Sequence, residues 1–142
     1  MEKVGIKRSI WIKASRERVW KAVTDADQIA EWFFPGTVMS QEGNKIVIRV
    51  GDKVVAESII EVNDPPRQIT TRNLPDMKTT ITYLLEEENG GTRFTVIEDG
   101  LESLSEEERR THLEQNGKGW EMALENLNAY IDGRSLPQPE GF

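Results

Sequence analysis

Alternating apolar and polar positions dominate the first hundred residues and predict a mostly β chain. Ile6, Ile10 and Ile12 are separated by polar neighbours, which is the period of a half-buried strand. Similar strand patterns follow at 46–50, 54–62, 69–72, 79–85 and 92–98. The predicted order is a strand, two helices, a run of about six antiparallel strands and one long helix.

Capping residues predict two short helices after the first strand. Ser15 offers an N-cap oxygen to a first helix, and Asp25 with Gln28 three residues later resembles a second cap. The second helix is expected to run through Trp32 and to end before Pro35, because proline cannot continue a helix.

A hairpin and a long amphipathic helix are predicted towards the C-terminus. Asn89-Gly90 lies between two strand patterns, where both residues can adopt the positive φ of a tight turn. Ser105 and Glu108 fit a capping box, and Gly133 supplies the helix stop. The helix between them has one apolar face, formed by Trp120, Ala123, Leu124, Leu127, Tyr130 and Ile131.

Composition narrows the classes of function. The 142 residues favour one domain over 1–142, with 134–142 as an irregular tail. A net charge of −7 argues against nucleic-acid binding. The absence of cysteine excludes disulfides and thiolate chemistry, and neither a metal site nor a cofactor is predicted. No signal-peptide pattern or membrane span is present, so a cytoplasmic location is expected.

Several motifs together resemble the START-like helix-grip superfamily, also called SRPBCC, and within it the branch related to the activator of the heat-shock-protein-90 ATPase. In order they are Ile10-x-Ile12-x-Ala14-Ser15, Val19-Trp20-x-Ala22-Val23-Thr24-Asp25, Ile29-x-x-Trp32-Phe33, Glu61-Val62-x-Asp64-Pro65-Pro66, Gly91-Thr92-Arg93-Phe94 and Gly119-Trp120-x-x-x-Leu124-x-x-Leu127-x-x-Tyr130. The resemblance implies an α+β helix-grip fold, in which a curved antiparallel sheet of six to seven strands wraps around the C-terminal helix. Many relatives have His-x-Gly-Phe where this chain has Glu98-Asp99-Gly100-Leu101.

The resemblance also implies an apolar cavity between the sheet and the C-terminal helix. Strand parity predicts that Ile60, Val62, Phe94 and Val96 face it, and Glu98 and Glu121 are candidate polar anchors or members of structural pairs. The full set of candidate cavity residues is Trp32, Phe33, Ile60, Val62, Tyr83, Phe94, Val96, Glu98, Leu101, Trp120, Glu121 and Leu124.

Three functions are compatible with this sequence. The first is a binding protein, favoured as a monomer, for a small hydrophobic, aromatic or lipid-like ligand. The second is a co-chaperone-like interaction protein, and the third is an enzyme of the cyclase or hydrolase kind found in the superfamily. No catalytic residue is predicted, because the single imidazole, His112, lies in a charged segment typical of a solvated surface.

Overall fold

A computed structural model of the protein describes residues 2–142. The elements, in chain order, are β1 (Ile6–Ile12), α1 (Arg16–Thr24), α2 (Ala26–Trp32), β2 (Thr37–Glu42), β3 (Lys45–Val50), β4 (Lys53–Asp64), β5 (Gln68–Asn73), β6 (Thr80–Glu88), β7 (Gly91–Asp99), a 3-10 turn (Leu101–Ser103) and α3 (Glu106–Ile131). The predicted α+β helix-grip fold, with seven strands and two short helices after the first, is therefore confirmed.

The seven strands form one antiparallel sheet in the order β1-β7-β6-β5-β4-β3-β2. The chain leaves β1 through the two short helices and re-enters the sheet at the opposite edge. The following strands then return by hairpins until β7 pairs with β1. The predicted hairpin turn is present between β6 and β7, with positive φ at Asn89 (47°) and Gly90 (76°).

The predicted helix caps are also present. The Ser15 hydroxyl accepts a hydrogen bond from the Arg18 backbone N–H at 3.2 Å, and the Asp25 carboxylate accepts one from Asp27 at 2.9 Å. At α3 the Ser105 hydroxyl accepts from the Glu108 N–H at 3.2 Å. Each cap satisfies a donor that the first helical turn leaves free.

Helix α3 packs on β1 and against α1 and α2, and the main core lies beneath it. The core joins both ends of the sequence, and its fully or nearly fully buried members include Ile12, Val19, Leu85, Phe94, Val96, Leu124 and Leu127. The two glycines within α3 do not interrupt it, and the helix ends as predicted before Gly133, which has a φ of 72°.

The C-terminal segment after α3 has no helix or strand, but it is held against the body of the protein. Asn126, which is fully buried, donates to the Gln138 carbonyl at 2.9 Å and accepts from the Gln138 N–H at 2.8 Å. Phe142 packs against Phe33 and Phe34, with ring centroids 5.0 and 4.6 Å apart. The segment therefore forms part of the wall beside α2.

Candidate functional site

A cavity of about 320 Å³ lies between the two short helices and strands β2 to β6. We call it the apolar cavity. Its walls come from one face of α1 and α2 and from the concave-face residues of five strands, and no residue of α3 contributes to them. Helix α3 packs on the end of the sheet where β1 and β7 lie. Towards the other end the same face is covered by the short helices α1 and α2, and the space beneath them is partly unfilled.

Most of the cavity lining is hydrocarbon or aromatic. The apolar members are Trp20, Val23, Ile29, Trp32, Phe33, Met39, Ile46, Ile48, Ala56, Ile60, Pro65, Ile69, Ile81 and Tyr83. The polar members are Thr24, Gln41, Ser58, Asn63, Thr71 and Asn73. Within residues 2–142 the lining has hydroxyl and amide groups but no carboxylate, imidazole or basic side chain.

Two aromatic residues of the wall, Trp32 and Phe33, are held in place by their neighbours. The buried Trp32 indole donates to the Ala22 carbonyl at 2.9 Å, and the Trp32 carbonyl accepts from the Asn126 side chain at 3.1 Å. Phe33 lies edge-on to Trp32, with ring centroids 5.7 Å apart. Because their neighbours hold both rings, this part of the wall is preorganised.

Tyr83 connects the apolar cavity to the buried carboxylate of Glu98. Its ring contacts Phe94 at 5.2 Å and stands edge-on to Trp120 at 6.1 Å between centroids. Tyr83 is half-buried and lines the cavity, and the rest of its side chain is surrounded by protein. Burial first, and then the negative charge of Glu98, raise the pKa of the Tyr83 phenol to about 12. The phenol therefore remains a neutral hydrogen-bond donor at physiological pH.

A second hollow, of about 360 Å³, lies beside the first and is here called the Glu98 pocket. It is lined by Phe33, Phe34, Ile81, Glu98, Gln115, Asn116, Gly119, Trp120 and Phe142. Phe33 and Ile81 belong to both hollows, so the two share a wall.

Glu98 is only 2% exposed, although its carboxylate lines the pocket. The Trp120 indole donates to its Oε1 at 2.6 Å, and the Asn116 amide lies 3.3 and 3.4 Å from its two oxygens. Both donors are neutral. In the described part of the chain, no lysine, arginine or histidine nitrogen lies within 4 Å of this carboxylate.

The structure places ten of the twelve candidate residues predicted from the sequence in three environments. Trp32, Phe33, Ile60 and Tyr83 line the apolar cavity, whereas Glu98 and Trp120, again with Phe33, line the Glu98 pocket. Four others are packed inside the protein, with Phe94, Val96 and Leu124 in the main core and Leu101 in a smaller cluster with Ile6 and Leu104.

The remaining two candidates lie away from both hollows. The expectation that Val62 faces inwards is wrong, because the β4–β5 register shifts between Ile60 and Val62 and leaves Val62 40% exposed. A bulge of this kind reverses the parity of the residues that follow it. Glu121 lies at the surface in an ion pair with Arg8, at 3.3 Å, so of the two roles considered for it the structure shows a pair.

Sequence reasoning missed most of the helix-side wall. Trp20 and Ile29 occur in the motifs of the two short helices but not among the candidate cavity residues, because only the paired arrangement of α1 and α2 turns them towards the sheet. Ile48 and Ile69 could have been found by parity, since alternate residues of their strands line the cavity: Ile46 and Ile48 on β3, and Ile69, Thr71 and Asn73 on β5.

Comparison with protein families agrees with this architecture. The sequence model of the activator of Hsp90 ATPase homolog 1-like proteins matches residues 13–132. The chain belongs to this family. The resemblance predicted from the motifs is thus confirmed.

Solved structures of other proteins show the same fold at low sequence identity. The Aha1 dimer from Colwellia psychrerythraea is 20% identical, with a TM-score of 0.73 over 90% of this chain and 96% of that one. CalU16 from Micromonospora echinospora is 27% identical, with a TM-score of 0.65 over 96% and 76%. DynU16, from the dynemicin biosynthetic locus, is 19% identical, with a TM-score of 0.76 over 97% and 49%.

No curated protein matches the sequence significantly. Among residues 2–142, no helix combines the length and the apolar character needed to cross a membrane.

Proposed function

We propose that the protein binds a small, uncharged, apolar molecule in the apolar cavity. The observation that supports this function best is the combination of about 320 Å³ of space with a mostly apolar lining that carries no charged side chain. Ligand sites in proteins have this character, at volumes of roughly 300–1,000 Å³, with a few polar groups to orient the ligand.

The lining indicates the chemical class of the ligand. Trp20, Trp32 and Phe33 offer aromatic faces, while the isoleucines of the strands offer hydrocarbon, so an aromatic or acyl-chained molecule fits best. The Ser58 hydroxyl and the Asn73 amide can hydrogen-bond to one or two oxygens on it. A charged ligand would lose its hydration without gaining a partner there.

Binding is favoured over catalysis by the groups that face the cavity. General acid–base chemistry needs a side chain that changes protonation near the working pH. Of the lining residues only Tyr83 titrates, and its pKa of about 12 keeps it protonated. The cavity can therefore orient and shield a ligand, whereas it offers no group to move a proton at neutral pH.

The proposal is tested by an NMR titration of the labelled protein with uncharged probes: fatty-acid methyl esters, flavonoid-like aromatics and neutral polyketide-like compounds. We expect dissociation constants on the order of micromolar for at least one class, because buried apolar area is offset by ordering costs. Shifts should cluster on Ile60, Ile69 and Ile81. Shifts confined to the outer surface, or none for any compound, would contradict the proposal.

A matched pair of variants of β4 localises the site. Ala56 lines the apolar cavity at an exposed position, so Ala56→Trp places a bulky ring at the cavity mouth and should abolish the shifts. Val62→Trp, on the same strand but outside the lining, should preserve them. Equal effects of the two variants would show that binding occurs elsewhere.

A second candidate function is interaction with a heat-shock-protein-90-type chaperone, which membership of the family favours. A pull-down with purified chaperone separates the two. Stoichiometric capture, together with no effect of Ala56→Trp, would place the interaction function first.

A further inference from the structure

We propose that the Glu98 pocket is a second binding site, and that it takes the protonated amine of a small organic molecule. The inference is independent of what occupies the apolar cavity. It rests on a buried carboxylate without a cationic partner, on the aromatic rings around it and on a free volume of about 360 Å³.

The carboxylate has unused hydrogen-bonding capacity. A carboxylate has about four acceptor positions on its two oxygens. Oε1 accepts a short hydrogen bond from Trp120 at 2.6 Å, but Oε2 has only the Asn116 amide at 3.4 Å. Because Glu98 is one of the residues that line the pocket, Oε2 is the atom with capacity to accept a further donor from a ligand there.

No basic side chain of residues 2–142 forms an ion pair with the carboxylate. Burying a carboxylate is costly unless it is paired and hydrogen-bonded, and its protein donors here are a neutral indole and a neutral amide. A ligand ammonium supplies both the opposite charge and the missing donors, and charge-assisted hydrogen bonds are the stronger kind.

The other walls suit an organic cation. Phe33 and Phe34 stand edge to face at 5.1 Å, Phe142 packs on both, and the Trp120 ring faces the pocket as well. Aromatic faces attract ammonium groups and also cover the hydrocarbon attached to them. Hard metal cations need several oxygen ligands, and this lining contributes a single carboxylate.

The test compares two probes of the same shape, 2-phenylethylamine and 2-phenylethanol, at neutral pH. The expected result is that the wild-type protein binds the amine at least tenfold more tightly than the alcohol, with a shift of the Trp120 indole N–H resonance. Equal affinity for the two probes, or no binding of the amine, would overturn the proposal without any variant being needed.

Two variants assign the preference to one carboxylate. Glu98→Gln keeps the size and an acceptor for Trp120, and it should reduce the preference for the amine to less than twofold. Glu121→Gln removes an exposed carboxylate from α3 and should keep the preference, since Glu121 lies outside the pocket. If Glu98→Gln retains a tenfold preference in a correctly folded protein, as judged by its amide spectrum, Glu98 does not bind the amine and the proposal is wrong.

Discussion

At the scale of single residues, Glu98 controls the polarity of the region where the two hollows meet. It is buried in β7, hydrogen-bonded to Trp120, and close enough to Tyr83 for its charge to raise the pKa of that phenol. The sequence contains only two tyrosines, which makes this interaction measurable.

The first prediction concerns the titration of Tyr83. In a Tyr130→Phe background, tyrosinate absorbance should rise with a midpoint near pH 12, and Glu98→Gln should lower that midpoint while burial keeps it above 10. The raised pKa stabilises the folded state fully below pH 10. That contribution is lost as pH rises from 10 to 12, at most about 2–3 kcal/mol.

The measurement requires the protein to remain folded during the titration, which circular dichroism can follow at each pH. A midpoint near 10 in the folded protein would contradict the predicted environment of Tyr83. A midpoint unchanged by Glu98→Gln would show that the charge of Glu98 does not reach the phenol.

Residue orientation was predictable wherever the strand was regular. Ile60 and Glu98 face inwards, as their even parity indicated, whereas Val62 does not, because one bulge in β4 lies between it and Ile60. Nothing in the local sequence around residue 61 marks that bulge, since its position depends on pairing with β5.

At the scale of elements, the middle of α3 passes close to the Arg8 side chain at Gly117. A methyl group at Gly117 would lie 2.7 Å from the Arg8 guanidinium, which reaches under the helix towards Glu121. At Gly119 a methyl group would meet nothing within 4 Å.

The second prediction compares these two glycines. Gly119→Ala should raise the free energy of unfolding by about 0.5–1 kcal/mol, because alanine favours the helix and fits without a clash. Gly117→Ala should stabilise less or destabilise, because Arg8 must move. Urea melts of both variants test this, and a larger gain at Gly117 than at Gly119 would contradict the packing described.

The third prediction concerns the buried face of α3. Leu124 is 4% exposed in the main core, so Leu124→Ala should lower the free energy of unfolding by about 2–5 kcal/mol. Denaturant melts measure it, with Leu113→Ala as the control, since Leu113 lies on the same helix but is 40% exposed. A cost below about half a kcal/mol at Leu124 would contradict the gripped-helix packing.

Most elements could be predicted from their periodicity and caps, but the strand β2 was not individually identified. Its inward positions include Thr37 and Gln41, so apolar alternation is weak there, and pairing with β3 holds the strand in place. The predicted position of the apolar cavity, between the sheet and the C-terminal helix, is wrong, because no residue of α3 lines it. The place of the cavity depends on α3 packing at the β1–β7 end of the sheet, and the local sequence pattern does not specify how a helix packs on a sheet.

At the scale of the whole molecule, the net charge of −7 governs what can approach the protein. The fourth prediction is that duplex DNA and RNA show no appreciable binding at about 150 mM salt, because an acidic protein gains little from counterion release. Micromolar binding in a gel-shift assay at that salt would contradict the electrostatic interpretation.

The proposed function requires the apolar cavity to be a ligand site. Intermolecular nuclear Overhauser effects between a bound apolar compound and the methyl groups of the protein test this most directly. The predicted result is contacts to Ile60, Ile69 and Ile81, and their loss in Ala56→Trp. Contacts only to exposed side chains such as Val38 and Val54 would place the ligand on the outer surface and contradict the central claim.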